Sequence, residues 1–374
     1  MQVAFYSDIS ETQNNYPFEV SPAIQEKYEL NKLKRYNVKK FPNIFLSELH
    51  KVLLKKEIKV QHYRKIKSIN KINLIIVQGS FYSKNLEDIS NINTKKYLIL
   101  GEQESIQPKL YNKKFLEKFD KIFTYRPELV DNKRIFYLNC SLLVTTKIKN
   151  ILVKNKKYLS CAFFANKKNK NPLSDFNERI KLIRYFSEKD KNYFHLYGLN
   201  WDHKVYNYQP KNTLEKIINL MTKIITKTLS KIKFINYILL PEMKVWKGFI
   251  KNQMSVCGKY KFEFCYENSS NMTARPFLSF YAGTVPIYNG PNNIKKIIPS
   301  NCYVDKKKFT SYDELLKFIL NINEKKYFKY IRNIKKFLKS KEHYKYSIEL
   351  DAQTITKNIL ADIKKNKNEK LFKK

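Results

Sequence analysis

The chain has 374 residues, 43 % of them hydrophobic, and a formal net charge of +40. That length is enough for two ordinary domains, and the apolar share excludes a disordered chain despite the charge. The 73 Lys and Arg are spread along the sequence and only 7 residues are Gly, a compositional bias that disfavours a dedicated nucleic-acid protein and fits a phosphate-bearing small ligand.

Five cysteines (Cys140, Cys161, Cys257, Cys265, Cys302) lack CxxC spacing, and the five histidines form no HExxH pattern. A reducing compartment is therefore expected, with no metal site, and Cys161 and Cys265 are expected as buried thiols. No run approaches the ~18 apolar residues of a membrane span. Residues 1–8 lack the basic and apolar regions of a signal peptide. The expected location is cytoplasmic, with peripheral contact at the inner face of a membrane left open.

Residues 3–6 read as a first strand. Ile44, Leu46, Leu49, Val52, Leu53 and Leu54 recur at near-helical spacing over 44–55. Strands are expected at 60–63, 72–77, 97–101, 121–125 and 135–138. Their alternation with helical stretches implies βαβ units and a mainly parallel sheet. A second such set starts near Tyr158, with a strand at 159–164, a helix at 178–186 and a strand at 194–197. Residues 213–245 read as a lysine-rich, hydrophobic helical stretch, an insertion or an extended helical hairpin. A strand at 261–266, a polar loop, a helix at 276–281 and a strand at 284–288 follow. Amphipathic helices are expected at 313–322 and 327–340. The domain boundaries are set at 1–150 and 151–345, with 346–374 a C-terminal helix and a basic tail that frays from Lys364.

Glu102 directly follows the buried strand and Gly101, which suits a carboxylate projecting as acid or base; Glu104 is its rival. Arg179 sits in the first turn of its helix, where a cation opposes the macrodipole unless an anion is near. A diphosphate is such an anion, and Arg184 is the competing choice. The polar loop carries Glu267, Asn268, Ser269, Thr273 and Arg275 ahead of Pro276, a residue suited to a first helical turn. Such a loop at the carboxyl end of a parallel strand is where open α/β sheets bind ligands.

These residues fall in the order of a known motif. Tyr260-Lys261-Phe262, Glu267-Asn268-Ser269, Thr273 and Ala282-Gly283-Thr284-Val285-Pro286-Ile287 resemble the donor-site segment of the α-1,3/1,4-fucosyltransferases, glycosyltransferase family 10. Upstream, Phe164-Ala165-Asn166 with Arg179, residues 194–198 and 247–250, and Gly101-Glu102-Gln103-Glu104-Ser105 resemble further family elements. The box Tyr-Val-Thr-Glu-Lys of the family reads Asn271-Met272-Thr273-Ala274-Arg275 here, so its tyrosine and its ribose-holding glutamate are replaced.

The resemblance implies an α/β fold of the GT-B kind, two Rossmann-like domains facing across a cleft. It implies a metal-independent inverting transfer of fucose from GDP-fucose to an α-1,3 or α-1,4 position of a surface glycan, of lipopolysaccharide or glycoprotein, with no other cofactor. Glu102 would be the base. Asn166, Arg179, Glu267, Asn268, Thr273 and Arg275 would bind the donor, the two arginines neutralising the diphosphate. The partners implied are a nucleotide sugar and a glycan acceptor. Residues 364–374 offer a basic contact for an anionic membrane. Two other readings stand: a transferase of this fold with another nucleotide sugar, and a non-catalytic basic glycan- or polyanion-binding protein.

Overall fold

The computed structural model describes residues 1–7, 44–79, 82–104, 107–139, 144, 151, 155–167, 176–204, 212–229, 240–250, 253–267 and 272–371. The chain divides into two compact units: one joins the N-terminal part, ending at Lys147, to Ser340–Lys374, and the other holds Ile148–Lys339 together with a short earlier segment.

In the first unit, β1 (Gln2–Ser7), α1 (Ile44–Leu54), β2 (Lys59–His62), β3 (Leu74–Gly79), α2 (Lys84–Ser90), β4 (Lys96–Leu100), β5 (Lys121–Thr124) and β6 (Ile135–Tyr137) alternate much as the periodicity predicts. All six strands are parallel, in the order β2-β1-β3-β4-β5-β6. A parallel sheet is covered on both faces, so its strands are apolar at consecutive positions. Alternate residues therefore feed two cores. Phe5, Ile76, Tyr97 and Ile99 join Leu46 and Leu49 of α1 on one side. Tyr6, Val77, Leu98 and Leu100 join Leu86 of α2, Leu110 and Phe115 on the other.

The second unit holds β7 (Tyr158–Phe163), α3 (Asn177–Ser187), β8 (Phe194–Tyr197), α4 (Thr213–Leu229), β9 (Tyr260–Tyr266), α5 (Arg275–Tyr281), β10 (Val285–Asn289), β11 (Val304–Asp305), α6 (Tyr312–Leu320) and α7 (Glu324–Leu338). Its five strands are parallel in the order β11-β10-β9-β7-β8. Of the helical stretch expected at 213–245, α4 and a single 3-10 turn at Pro241–Lys244 are described; residues 230–239 lie outside the described residues. Cys161 and Cys265 are fully buried free thiols.

The central strand β9 carries a buried acid, Glu263. Its carboxylate accepts the Ser279 hydroxyl at 2.7 Å, the Cys257 thiol at 2.9 Å and the Gln253 amide at 3.2 Å. Burial pushes this carboxyl above its ordinary range. A buried polar group persists where it is bonded, and the Ser279 bond fixes α5 against β9.

The last helix, α8 (Ile348–Leu371), belongs to the first unit. It packs beside α1, burying Ala352, Ile355 and Ile359. The hydroxyl of Tyr97 donates to Asp362, which also pairs with Lys95 at 2.9 Å and Lys121 at 2.8 Å. Residues 364–371, expected to fray, continue this helix.

Candidate functional site

The donor-type residues gather at the carboxyl ends of β7 and β9, which are neighbours in the second sheet. Glu267 follows β9 directly and is 5 % exposed. Its carboxylate accepts the Thr273 backbone N–H at 2.9 Å and the Thr273 hydroxyl at 2.9 and 3.0 Å. These bonds tie the end of β9 to the residues just before α5. Burial raises the Glu267 carboxyl, while the Arg275 charge, the Thr273 N–H and Arg179 pull it back. A buried carboxyl held this way keeps its hydrogen-bond partners in place of water.

Gly290, after β10, leaves room for this side chain. A Cβ there would stand 2.8 Å from Glu267 Cγ and 2.6 Å from the Tyr288 hydroxyl. Tyr288 is itself fully buried, and its hydroxyl has no hydrogen-bond partner.

Arg179 lies in the first turn of α3 and is 5 % exposed. Its Nε and one Nη donate to the Tyr266 carbonyl at 2.9 and 2.5 Å. Arg184, the competing arginine, points outward with a 65 % exposed side chain and reaches Glu242 at 3.5 Å. Arg275 opens α5 and donates to the Phe163 carbonyl at 2.9 Å. Both guanidinium groups stand near the ring of Phe164, Arg179 at 4.8 Å and Arg275 at 5.5 Å from its centre. Guanidinium stacks well on aromatic faces, so Phe164 sets the position of both cations. Nothing in the sequence marks Phe164 for that part, because the arginines lie far from it along the chain.

The segment after β7 is held tightly. Phe164 N–H donates to the Tyr197 carbonyl at 2.9 Å, and the Trp201 indole donates to the Phe164 carbonyl at 2.7 Å. Gly198, at φ +146°, lets this contact form: a Cβ there would lie 1.8 Å from the Phe164 oxygen. The side-chain amide of Asn166 donates to the Asn200 carbonyl at 2.9 Å and the His203 carbonyl at 3.1 Å. Asn166 thus fastens the loops after β7 and β8 to each other.

Asn268, Ser269 and Asn271 lie outside the described residues. Ala274, which stands where the family has glutamate, is 8 % exposed and precedes α5 with no side-chain cap.

In the first unit, Glu102 follows β4 and is half-buried. Its Oε1 accepts the Gln103 N–H at 2.9 Å, and its carbonyl accepts the Tyr111 hydroxyl at 2.6 Å. Burial pushes that hydroxyl up to about 12. Glu104 is ion-paired to Arg126, which also binds Glu128 at 2.6 Å and lies 5.1 Å over the Tyr111 ring. Glu104 is thus ion-paired to Arg126, and Glu102 follows the buried strand with the Tyr111 hydroxyl on its backbone carbonyl.

Among the described residues no group of three His, Cys, Asp or Glu lies close enough to hold a metal ion. No described helix is long and apolar enough to cross a membrane.

Two parallel α/β units with polar residues at their strand ends define a GT-B glycosyltransferase fold. Residues 205–373 match the family model described as glycosyltransferase family 10 (fucosyltransferase), C-terminal. The resemblance at 260–291 lies inside the matched residues. No curated protein matches the chain. The structure is similar to HepE from Anabaena in complex with UDP, at 9 % identity and a TM-score of 0.50 over 96 % of this chain and 100 % of that one. It is also similar to an alpha1,3-fucosyltransferase, at 14 % identity and a TM-score of 0.45 over 96 % of this chain and 90 % of that one.

Proposed function

We propose that this protein is an inverting fucosyltransferase that uses GDP-fucose and forms an α-1,3 or α-1,4 bond to a hydroxyl of a surface glycan, carried by lipopolysaccharide or glycoprotein. The observation that carries this reading is the Glu267–Thr273 clamp beside Arg275, set within the strand–loop–helix–strand segment inside the matched residues. In the proposed reaction Glu102 takes the proton of the acceptor hydroxyl. The acceptor oxygen bonds to the anomeric carbon as the bond to the GDP oxygen breaks on the opposite face. Arg179 and Arg275 offset the charge growing on the departing diphosphate without a metal ion. Donors aimed at developing charge are the largest common source of such rate gains. Glu267, Thr273, Asn166 and Asn268 shape the donor side. The enzyme is placed at the cytoplasmic face of a membrane, with residues 364–374 as one basic contact.

A second reading, another nucleotide sugar as donor, is favoured by one observation: Ala274 offers no carboxylate where the family holds ribose. Titration calorimetry with GDP, GDP-fucose, GDP-mannose and UDP-sugars tests both. Binding of GDP-fucose with turnover onto a glycan acceptor supports the first reading. Binding confined to UDP-sugars replaces it with the second, and binding of no nucleotide sugar removes both.

A further inference from the structure

The helix α4 turns the wrong face to solvent for a helix of a water-soluble body. Six large apolar side chains, Leu214, Ile217, Leu220, Met221, Ile224 and Ile225, are each 52–65 % exposed. At helical spacing they form one continuous stripe along its 17 residues. The face turned toward the body is polar instead. Thr226 is buried and accepts the Lys204 N–H at 3.2 Å, and Lys227 at the same end pairs with Asp202 at 2.8 Å. Asn212 caps the start through the Glu215 N–H at 2.9 Å. The helix is thus held to the second unit by its polar residues, leaving the apolar stripe outward.

The occupant follows from the rest of the helix. Lys216 and Lys223 recur along one edge of the stripe, both exposed. The helix has no aromatic residue and no arginine, the residues that concentrate binding energy at protein interfaces. An aliphatic stripe bordered by lysines is the composition of a helix lying in a lipid interface, its stripe among acyl chains and its cations at anionic headgroups. The +40 charge of the chain adds to the same attraction. We infer that α4 is a second-unit membrane contact that seats the protein on an anionic lipid surface, independent of the C-terminal lysines.

The test is flotation of the full-length protein with vesicles of phosphatidylcholine alone and of phosphatidylcholine with phosphatidylglycerol. Binding is expected only with the anionic lipid, weakening as salt rises. The pair Ile217→Asp with Ile224→Asp should lower it by about tenfold or more. Lys216→Gln and Lys223→Gln should lower it by about fivefold each. Circular dichroism and GDP titration of the same variants report folding separately, since α4 holds none of the donor-type residues. Leu220→Cys carrying an environment-sensitive dye should start solvent-exposed and shift to the blue on anionic vesicles. Unchanged binding in the paired Asp variant overturns the inference, as does loss confined to Lys364→Gln with Lys365→Gln. A dye already shielded in free monomer would mean that the chain covers its own stripe. Dimers abolished by the Asp pair, without vesicle binding, would assign the stripe to a second copy.

Discussion

Thr273 donates both its backbone N–H and its hydroxyl to the buried carboxylate of Glu267, 2.9–3.0 Å away. Six residues apart in sequence, the two tie the end of β9 to the start of α5, where Arg275 stands. The tie between the end of β9 and the approach to α5 therefore rests on one acceptor. Thr273→Val keeps the N–H bond and loses the hydroxyl; it should cost about 1–2 kcal/mol of stability. Glu267→Ala leaves both Thr273 donors without their acceptor and should weaken GDP binding more than Thr273→Val. Calorimetry with GDP and thermal unfolding of the two variants check the order.

Gly290→Ala tests the same clamp from the other side. Its Cβ meets Glu267 Cγ at 2.8 Å and the Tyr288 hydroxyl at 2.6 Å, and the neighbours have to shift. Overpacking of this kind costs about 1–3 kcal/mol. Loss of nucleotide affinity beyond the loss of stability is expected, and Tyr288→Phe in the same chain should restore part of both.

Arg275→Lys keeps the charge but not the planar group that lies by Phe164. Turnover should fall by about 10²-fold, as for the loss of one well-placed donor in other enzymes, with a smaller change in acceptor KM. Arg184→Lys, at the exposed arginine of α3, should leave kcat within about twofold.

Glu102→Gln keeps an oxygen to accept the Gln103 N–H, so the turn after β4 should persist. If Glu102 removes the acceptor proton, kcat should fall by about 10²–10⁴-fold while GDP affinity stays. Glu104→Gln, in contrast, loses its ion pair with Arg126 and should act mainly on stability. Turnover assays with unfolding curves for both variants separate chemistry from structure.

Asp351, near the start of α8, is 2 % exposed. Burial holds its carboxyl up at about 7, against an ordinary 3.8, and the Asn139 amide at 3.4 Å offsets this only in part. A raised carboxyl binds its proton more tightly in the folded chain than in the unfolded one. Its stabilising share is therefore complete below about pH 4 and is lost as pH rises through about 7. Asp351→Asn should flatten that slope and raise stability at pH 8, on the order of a few kcal/mol. Urea unfolding of both forms between pH 4 and 8 measures it.

Strand positions in both sheets were legible because a buried parallel strand needs several apolar residues in a row, and that demand is local. The order of Glu267, Thr273, Arg275 and Pro276 was equally legible, since a loop and the helix it starts are continuous in the chain. So was the family resemblance those residues carry. The sequence by itself thereby determined two α/β sets and the loop that carries the resemblance. Only the tertiary structure decided how distant residues meet. It placed β9 beside β7, and this brought Arg275 to the Phe163 carbonyl and to Phe164. It gave Arg179 the Tyr266 carbonyl and Glu104 an ion pair with Arg126. It also returned α8 to the first unit and left the apolar stripe of α4 outward. Periodicity gives the direction of a helix face relative to its neighbours on the same helix. What covers that face depends on contacts far along the chain, and no local pattern records them.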